Sequence, residues 1–194
     1  MMFHVKQFEK MIRTADLKDA KQIAEIYRPY VENTAISFEY DAPSEEEMAG
    51  RIEKTLKNYP FLVAQENGEI SGYAYLGRYK ERAAYDYAAE VSVYVREGRQ
   101  RRGIGKSLYA EIERIAAAQN ILNLYACITV ERDEDYSASM VFHEHMGYKL
   151  IGRLHFSGYK SGRWHDTVYM EKMLGGHSED PPKVIPFEKL RQYL

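Results

Sequence analysis

Cysteine is almost absent from this chain: its 194 residues include one, Cys127. A single thiol excludes a disulfide framework within the chain and is typical of a reducing compartment, so we expect a cytoplasmic location. Cys127 lies in the apolar run 122–130. We predict that this run is a strand buried on both faces and that Cys127 is a small core residue rather than a nucleophile.

Long apolar runs and an excess of charge of one sign are also missing. No stretch approaches the about 18 consecutive apolar residues that a membrane-spanning helix needs, and no signal-peptide pattern is recognisable. Lys and Arg total 27 against 29 Asp and Glu, a formal net charge of −2. We therefore expect neither nucleic acid nor a membrane as a partner, and the length favours one domain with its own core.

What the chain does contain is a strand–turn–helix pattern at residues 90–107. Val91, Val93 and Val95 alternate with other residue types, which predicts a strand. Apolar residues then recur from Ile104 at the spacing of one helix face. A glycine-bearing turn before a helix presents free N–H groups that bind phosphate. Positive charge surrounds this turn, on Arg99, Arg101, Arg102 and Lys106. The stretch therefore predicts a pyrophosphate site.

Three motifs compete for this turn, and their spacing separates them. A nucleotide-binding P-loop needs a glycine where Gln100 stands, so the match around Lys106 and Ser107 is partial. A dinucleotide fingerprint needs a glycine where Leu108 stands. The pattern Q/R-x-x-G-x-G/A, typical of acetyl-coenzyme A binding, fits residues 100–105 without a gap. We favour the third motif, and a plain glycine turn remains an alternative.

Four segments in this order resemble the GNAT superfamily of N-acetyltransferases, and within it the phosphinothricin/methionine-sulfoximine acetyltransferase group. The segments are residues 84–95, 100–105, 142–148 and 158–166. The resemblance implies an α/β GNAT fold, with a single mixed, mostly antiparallel sheet flanked by helices, over residues 11–174. It also implies acetyl-CoA as cofactor, a small-molecule amine as acceptor and a homodimer. Residues 175–194 would form a tail that docks on the domain or on a partner subunit.

The remaining patterns predict the order β-α-α-β-β-β-α-β-α-β-β, which coincides with the GNAT arrangement. Ser44 and Glu47 form a capping box that opens the second helix. Asn67 and Gly68 are a strong turn signal between two antiparallel strands. Gly147 is suited to end the last helix of the domain.

The candidate cofactor residues follow from the strand, the motif and the resemblance. The backbone of the strand can pair with the amides of the pantetheine arm, with the N–H of Val93 aimed at the thioester oxygen. The candidates are Val91, Val93, Val95, Gln100, Arg101, Arg102, Gly103, Ile104, Gly105, Lys106, Ser107 and, from the resemblance, Ser139.

The candidate catalytic residues are Glu90 and His143. Glu90 is a carboxylate at the mouth of an apolar strand, and the resemblance places the general base there; a plain strand-end glutamate is the alternative. The resemblance places His143 where many GNAT members have a tyrosine that acts as general acid. The alternative is that His143 only packs or hydrogen-bonds the cofactor. The zinc pattern H-E-x-x-H fails because Gly147 stands at its last position, so we predict no metal.

The acceptor residues rest on the resemblance alone, and the acceptor itself stays open. The candidates are Phe38, Glu39, Arg82, Tyr85, Trp164 and His165. The implied acceptor is the α-amino group of phosphinothricin, methionine sulfoximine or methionine sulfone. The alternatives are a polyamine, an antibiotic amine or a protein N-terminus, and, from another class, a non-catalytic acyl-CoA sensor.

Overall fold

The computed structural model describes residues 11–131 and 137–193. Seven strands form one sheet in the order β1-β2-β3-β4-β5-β7-β6. The strands are β1 Met11–Thr14, β2 Phe61–Glu66, β3 Glu69–Arg78, β4 Ala88–Val95, β5 Asn123–Val130, β6 Lys149–Lys160 and β7 Arg163–Met173. The helices are α1 Ala20–Asn33, α2 Glu45–Asn58, α3 Ile104–Ala118, α4 Ala138–His145 and α5 Phe187–Leu190. The predicted mixed, mostly antiparallel α/β fold is confirmed.

The predicted capping box, hairpin turn and helix-ending glycine all form at the predicted positions. The Ser44 hydroxyl accepts from the Glu47 N–H at 3.1 Å, and the Glu47 carboxylate accepts from the Ser44 N–H at 2.7 Å, so the capping box forms. Asn67 and Gly68 both adopt positive φ between β2 and β3, as a tight hairpin requires. Gly147, with φ of 86°, follows α4.

Two apolar clusters cover the two faces of the sheet. One lies between the sheet and α3, where Ile104, Leu108, Ile112 and Ile115 are all buried, as their spacing predicts. The other lies between the sheet and the α1–α2 pair. β4 contributes to both, because its odd-numbered side chains pack towards α3 while Tyr94 packs towards α1.

The chain after β7 returns to the domain. Phe187 in α5 is fully buried in the cluster beneath α3. The Gln119 side-chain amide donates to the Ile185 carbonyl at 2.8 Å, and the Ile185 N–H donates to the Gln119 carbonyl at 2.9 Å. The segment 183–190 is therefore held on the domain at the end of α3.

The strand β5 differs from its prediction. Its side chains alternate: Leu124, Ala126, Ile128 and Val130 are buried, whereas Cys127 is exposed. The prediction of a strand buried on both faces with Cys127 in the core is wrong. The apolar run conceals this alternation, because Tyr125 and Cys127 are themselves apolar by type.

Candidate active site

The site is built on a divergence of two neighbouring strands. Among the described residues, β4 and β5 form the parallel pair of the sheet, and they pair only from Ala88 to Glu90 against Asn123 to Tyr125. Beyond Glu90 the strands separate, and a cleft of about 970 Å³ opens between them. Because a sheet ordinarily continues its ladder, this opening leaves one edge of β4 available to a ligand inside the domain.

The backbone of β4 directs alternate residues into the cleft. Arg96 donates its N–H to the Ser71 carbonyl of the β3 side at 2.9 Å. Since hydrogen-bonding direction alternates along a strand, the even-numbered residues of β4 pair with β3, and the N–H groups of Val91 and Val93 point the other way. Val95, also odd-numbered, points its carbonyl to the same side as the N–H groups of Val91 and Val93. This carbonyl accepts a hydrogen bond from the hydroxyl of Tyr30, which lines the cleft.

The far end of the cleft is the start of α3. Gly103 precedes this helix with φ of 74°, and no side chain caps the helix. The first bond within the helix runs from the Ser107 N–H to the Gly103 carbonyl, at 3.0 Å. The N–H groups of residues 104–106 therefore precede the helical ladder and are suited to phosphate oxygens.

Small size and positive charge reinforce this end of the cleft. A methyl group on Gly105 would lie 3.3 Å from the Phe142 ring, so glycine keeps the turn close to α4. Arg99, Arg101 and Lys106 all line the cleft, and Arg99 also forms an ion pair with Glu69 at 3.0 Å. The glycine cradle, the charges and the open strand edge together fit the pyrophosphate and pantetheine of acetyl-CoA.

Most of the predicted cofactor residues share this cleft. Those that line it are Val91, Val93, Val95, Gln100, Arg101, Gly103, Ile104, Gly105, Lys106 and Ser139. Two lie outside its lining, Arg102 and Ser107. The hydroxyl of Ser107 donates to the Gly103 carbonyl at 3.0 Å, which turns it back onto the helix.

Glu90 stands at the point where the two strands part. Its side chain lies on the face of the sheet opposite α3, since Ala89 and Val91 on either side pack towards α3. Burial raises the pKa of Glu90 above its ordinary value of 4.5, and the Lys80 ammonium partly opposes this shift. A half-buried carboxylate with a raised pKa is a stronger base than an exposed one.

The structure groups around Glu90 several residues that the sequence analysis did not select. They are Tyr75, Lys80, Cys127 and Tyr169, each of which interacts electrostatically with Glu90 or with its immediate neighbours. They come from β3, the segment after β3, β5 and β7. Strand alternation could have placed Cys127 on this face, but the register that aligns four strands is not visible in the sequence.

Cys127 is open to the cleft beside Glu90. Its thiol lies close to the Tyr169 side chain of β7. Desolvation by the surrounding protein and the nearby Glu90 carboxylate raise the pKa of this thiol. Cys127 is therefore a neutral, small wall residue between the cofactor cleft and Glu90 near neutral pH.

His143 is buried in α4 and makes two short hydrogen bonds. Its Nδ1 lies 2.7 Å from the Ser139 carbonyl, which can only accept, so the proton of the neutral ring is on Nδ1. The Tyr109 hydroxyl, 2.7 Å from Nε2, then donates to the ring. Burial lowers the pKa of His143, which favours this neutral form. His143 and Tyr109 both line the cleft.

The residues that the resemblance implies for the acceptor lie outside the cleft, at separate places on the domain. Glu39 forms a two-pronged ion pair with Arg51 at 2.7 and 2.8 Å. Arg82 and Tyr85 lie in the exposed segment after β3, where Tyr85 packs edge-on against Tyr79.

The other three lie near the end of the β6–β7 hairpin. Trp164 is about half exposed, and His165 is buried with Nε2 donating to the Lys160 carbonyl at 3.2 Å. Phe38 packs near His165, with ring centroids 6.1 Å apart. None of the six lines the cofactor cleft itself.

The described residues add neither a metal cluster nor a membrane span to this site. The described part of the chain contains no group of three or more His, Cys, Asp or Glu side chains arranged to hold a metal ion. Within the same residues, no helix combines the length and apolar character needed to cross a membrane.

The raised pKa of Glu90 has a consequence for stability. A carboxylate whose pKa rises on folding destabilises the folded protein at pH values above the raised pKa, and this cost disappears as the pH falls below the unfolded-state pKa. We expect Glu90→Gln to raise the Tm near neutral pH, with the gain shrinking in acid. Thermal melts across pH measure this, and the exposed Glu53→Gln is the control. An equal or lower Tm at neutral pH would contradict it.

Comparisons with known proteins agree with this geometry. The family model for the acetyltransferase (GNAT) domain matches residues 12–169. The chain is 34% identical to phosphinothricin N-acetyltransferase of Streptomyces viridochromogenes, over 83% of this chain and 86% of that protein. It is 30% identical to the L-methionine sulfoximine/L-methionine sulfone acetyltransferase of Salmonella typhimurium, over 86% of this chain and 96% of that protein.

A solved structure adds the cofactor to the comparison. The GNAT superfamily phosphinothricin acetyltransferase of Sinorhizobium meliloti, in complex with acetyl-CoA, is 35% identical with a TM-score of 0.83 and covers 92% of this chain and 96% of its own. Sequence, fold and cleft therefore agree. The chain belongs to the GNAT family and is an acetyl-CoA-dependent N-acetyltransferase.

Proposed function

We propose that this enzyme transfers acetyl from acetyl-CoA to the α-amino group of a small amino-acid-like acceptor of the phosphinothricin or methionine sulfoximine and sulfone type. The amine attacks directly, with Glu90 as general base. The observation that carries the proposal is the position of Glu90, whose half-buried carboxylate stands where the cofactor cleft opens between β4 and β5. The relatives named for these acceptors support the choice.

The first task of the site is to deprotonate the acceptor. A free amine is mostly protonated near neutral pH, and Glu90 accepts its proton directly or through water. Acetyl-CoA supplies the activated acetyl thioester. The N–H of Val93, which points into the cleft, donates to the carbonyl oxygen as negative charge develops on it.

A second proton is needed at the departing sulfur. The neutral His143 holds its proton on Nδ1, bound to the Ser139 carbonyl, and therefore has no N–H on Nε2. The Tyr109 hydroxyl that bonds Nε2 carries the proton of this pair. We propose that the Tyr109 hydroxyl turns from Nε2 of His143 to the departing thiolate and gives it this proton, and that water then returns a proton to the Tyr109 oxygen.

The acidic group of the acceptor requires a cation. Lys80 is exposed and lies close enough to Glu90 to counteract its raised pKa. Arg78, by contrast, is engaged with Asp86 at 3.1 Å. We propose that Lys80, together with Arg82, binds the carboxylate or phosphinate, while Tyr75, Tyr169 and the small Cys127 form the walls.

A panel of amines tests the proposed acceptor. Thiol release from acetyl-CoA is measured with phosphinothricin, methionine sulfoximine, spermidine and a short peptide, and each product is identified by mass spectrometry. We expect the two amino-acid analogues to have the highest kcat/KM. Turnover of spermidine or the peptide alone would replace the acceptor class, and acetyl-CoA binding without turnover of any amine would favour the sensor.

We also propose that two copies pair through the β6–β7 edge, in a cytoplasmic enzyme. This edge exposes a run of apolar side chains, each 49–52% exposed, which is unusual for a strand that faces only water. They are Leu150, Ile151, Leu154, Phe156, Tyr159 and Trp164. A second copy would bury the unpaired edge of β6 together with these side chains.

Substitution of one edge leucine tests the pairing. We expect the wild type to sediment as a dimer and Leu154→Glu to sediment as a monomer, because a charge would be buried at the centre of the contact. Leu17 follows β1, at the sheet edge opposite β6, and is 47% exposed. The control Leu17→Glu should therefore remain dimeric. A monomeric wild type, or a dimeric Leu154→Glu, would contradict the proposed interface.

A further inference from the structure

A buried lysine lies outside the catalytic residues considered so far. Lys160, at the end of β6, is 5% exposed. Its Nζ donates to the Val31 carbonyl and to the Ser37 carbonyl, both at 2.6 Å. Burying an ammonium group is costly unless it is well hydrogen-bonded, so these two carbonyls are the reason that it is tolerated.

The two carbonyls lie at the end of α1 and in the segment that joins α1 to α2. We call residues 34–44 the α1–α2 loop and residues 158–165 the hairpin tip. Lys160 of the hairpin tip thus holds Ser37 of the loop and Val31 in the last turn of α1, where carbonyl groups have no helical partner. The two segments are more than 100 residues apart in the sequence.

Two further contacts join the same segments. The Tyr40 hydroxyl donates to the Tyr159 carbonyl at 2.5 Å. The Phe38 ring lies directly over Gly158, so closely that a methyl group at Gly158 would overlap the ring. An ammonium group, a hydroxyl and an aromatic ring therefore fasten the loop to the hairpin tip at three successive points.

The α1–α2 loop also reaches the reaction site. Ile36 lines the cofactor cleft. Glu39, paired with Arg51, interacts electrostatically with Tyr75, which in turn faces Glu90. A displacement of the loop would therefore move a wall of the cleft and the charges behind Tyr75, while the phosphate-binding turn at Gly103 lies on another part of the cleft.

We propose that Lys160 is a positioning residue for the acceptor. By fastening the α1–α2 loop to the hairpin tip, it places Ile36 and the Glu39–Arg51 pair behind Tyr75, which we call the acceptor side of the cleft, and it does not contact the reacting atoms. This inference rests on the proposed function for the identity of the acceptor side. It assigns to the hairpin tip an influence on acceptor affinity that is separate from acetyl-CoA binding.

Lys160→Met tests the inference, because it keeps the apolar stem and removes the donor. We expect faster hydrogen–deuterium exchange in residues 34–44, a KM for the acceptor raised about tenfold, and a KM for acetyl-CoA changed by less than about twofold. Lys54→Met, an exposed lysine of α2, is the control and should match the wild type.

A second variant breaks the contact without touching the lysine. Gly158→Ala should produce the same pattern by displacing Phe38, whereas Gly152→Ala on the same strand meets nothing within 4 Å and should not. This pair keeps the test decisive if Lys160→Met folds poorly.

The outcomes separate the two proposals. KM is measured with whichever amine of the panel the wild type acetylates. Unchanged exchange of the loop in both variants would overturn the fastening role, and faster exchange with an unchanged acceptor KM would overturn the positioning role. A wild type that acetylates no amine overturns the proposed function and the positioning role together, while the loop exchange still decides the fastening.

Discussion

Glu90→Gln lowers kcat/KM for the acceptor by about 10²–10⁴-fold near neutral pH, the range that a positioned general base contributes. The amide is close in size to the carboxylate but cannot take a proton from the amine. Binding of acetyl-CoA should change little, because the proposed cofactor contacts on β4 are made by the backbone of Val91 and Val93 and not by the Glu90 side chain. Steady-state kinetics and a titration with acetyl-CoA measure the two quantities separately.

The pH profile adds an independent check on the same residue. Burial raises the pKa of Glu90, so the carboxylate becomes protonated at a higher pH than an exposed glutamate. Wild-type kcat/KM should therefore fall as the pH is lowered, with a midpoint above pH 4.5. This acid-side fall should be absent in Glu90→Gln. Glu53→Gln should retain the wild-type profile. A mutant with an unchanged rate and an unchanged acid-side fall would exclude Glu90 as the base.

Gly103→Asp weakens acetyl-CoA binding by about 100-fold, corresponding to about 2.7 kcal/mol, since charge-assisted hydrogen bonds contribute about 1.5–3 kcal/mol each. An aspartate before α3 would accept hydrogen bonds from the N–H groups of residues 104–106, which would then be lost to the phosphates. Its negative charge would also repel the phosphates. Calorimetric or fluorescence titration with acetyl-CoA measures the change in Kd.

Gly98→Asp is a matched control for this change. Gly98 has φ of 75° and Gly103 has φ of 74°, and neither has an atom within 4 Å of an added Cβ. Both variants therefore incur a similar left-handed backbone cost and add the same charge, but only Gly103 lines the cleft. Equal loss of affinity in the two variants would show that backbone strain, not the phosphate site, is responsible.

The local elements of this protein are visible in its sequence for physical reasons. The Ser44–Glu47 capping box, the Asn67-Gly68 hairpin and the apolar face of α3 each depend on residues close together in the chain. The cofactor cleft is predictable for the same reason, because one continuous segment supplies both its strand and the glycine turn before α3. Recognition of the family extends these local signals to the order of the whole sheet.

The acceptor side depends on long-range register, which local patterns do not encode. Cys127 and Tyr169 approach Glu90 only because β5 aligns beside β4, and β7 aligns beside β5. An apolar run predicts Cys127 as a core residue, yet the separation of β4 from β5 exposes it. Likewise, nothing near Lys160 in the sequence indicates that its ammonium holds the α1–α2 loop.

One measurement tests direct acetyl transfer at Glu90 most directly: a single-turnover experiment with enzyme and acetyl-CoA labelled in the acetyl group, mixed with methionine sulfoximine and quenched at successive times. The predicted result is that label passes from acetyl-CoA to the acceptor amine with none bound to the protein, and that the transfer slows about 10²–10⁴-fold in Glu90→Gln. Label that accumulates on the protein, or transfer at an equal rate in the mutant, would contradict the account.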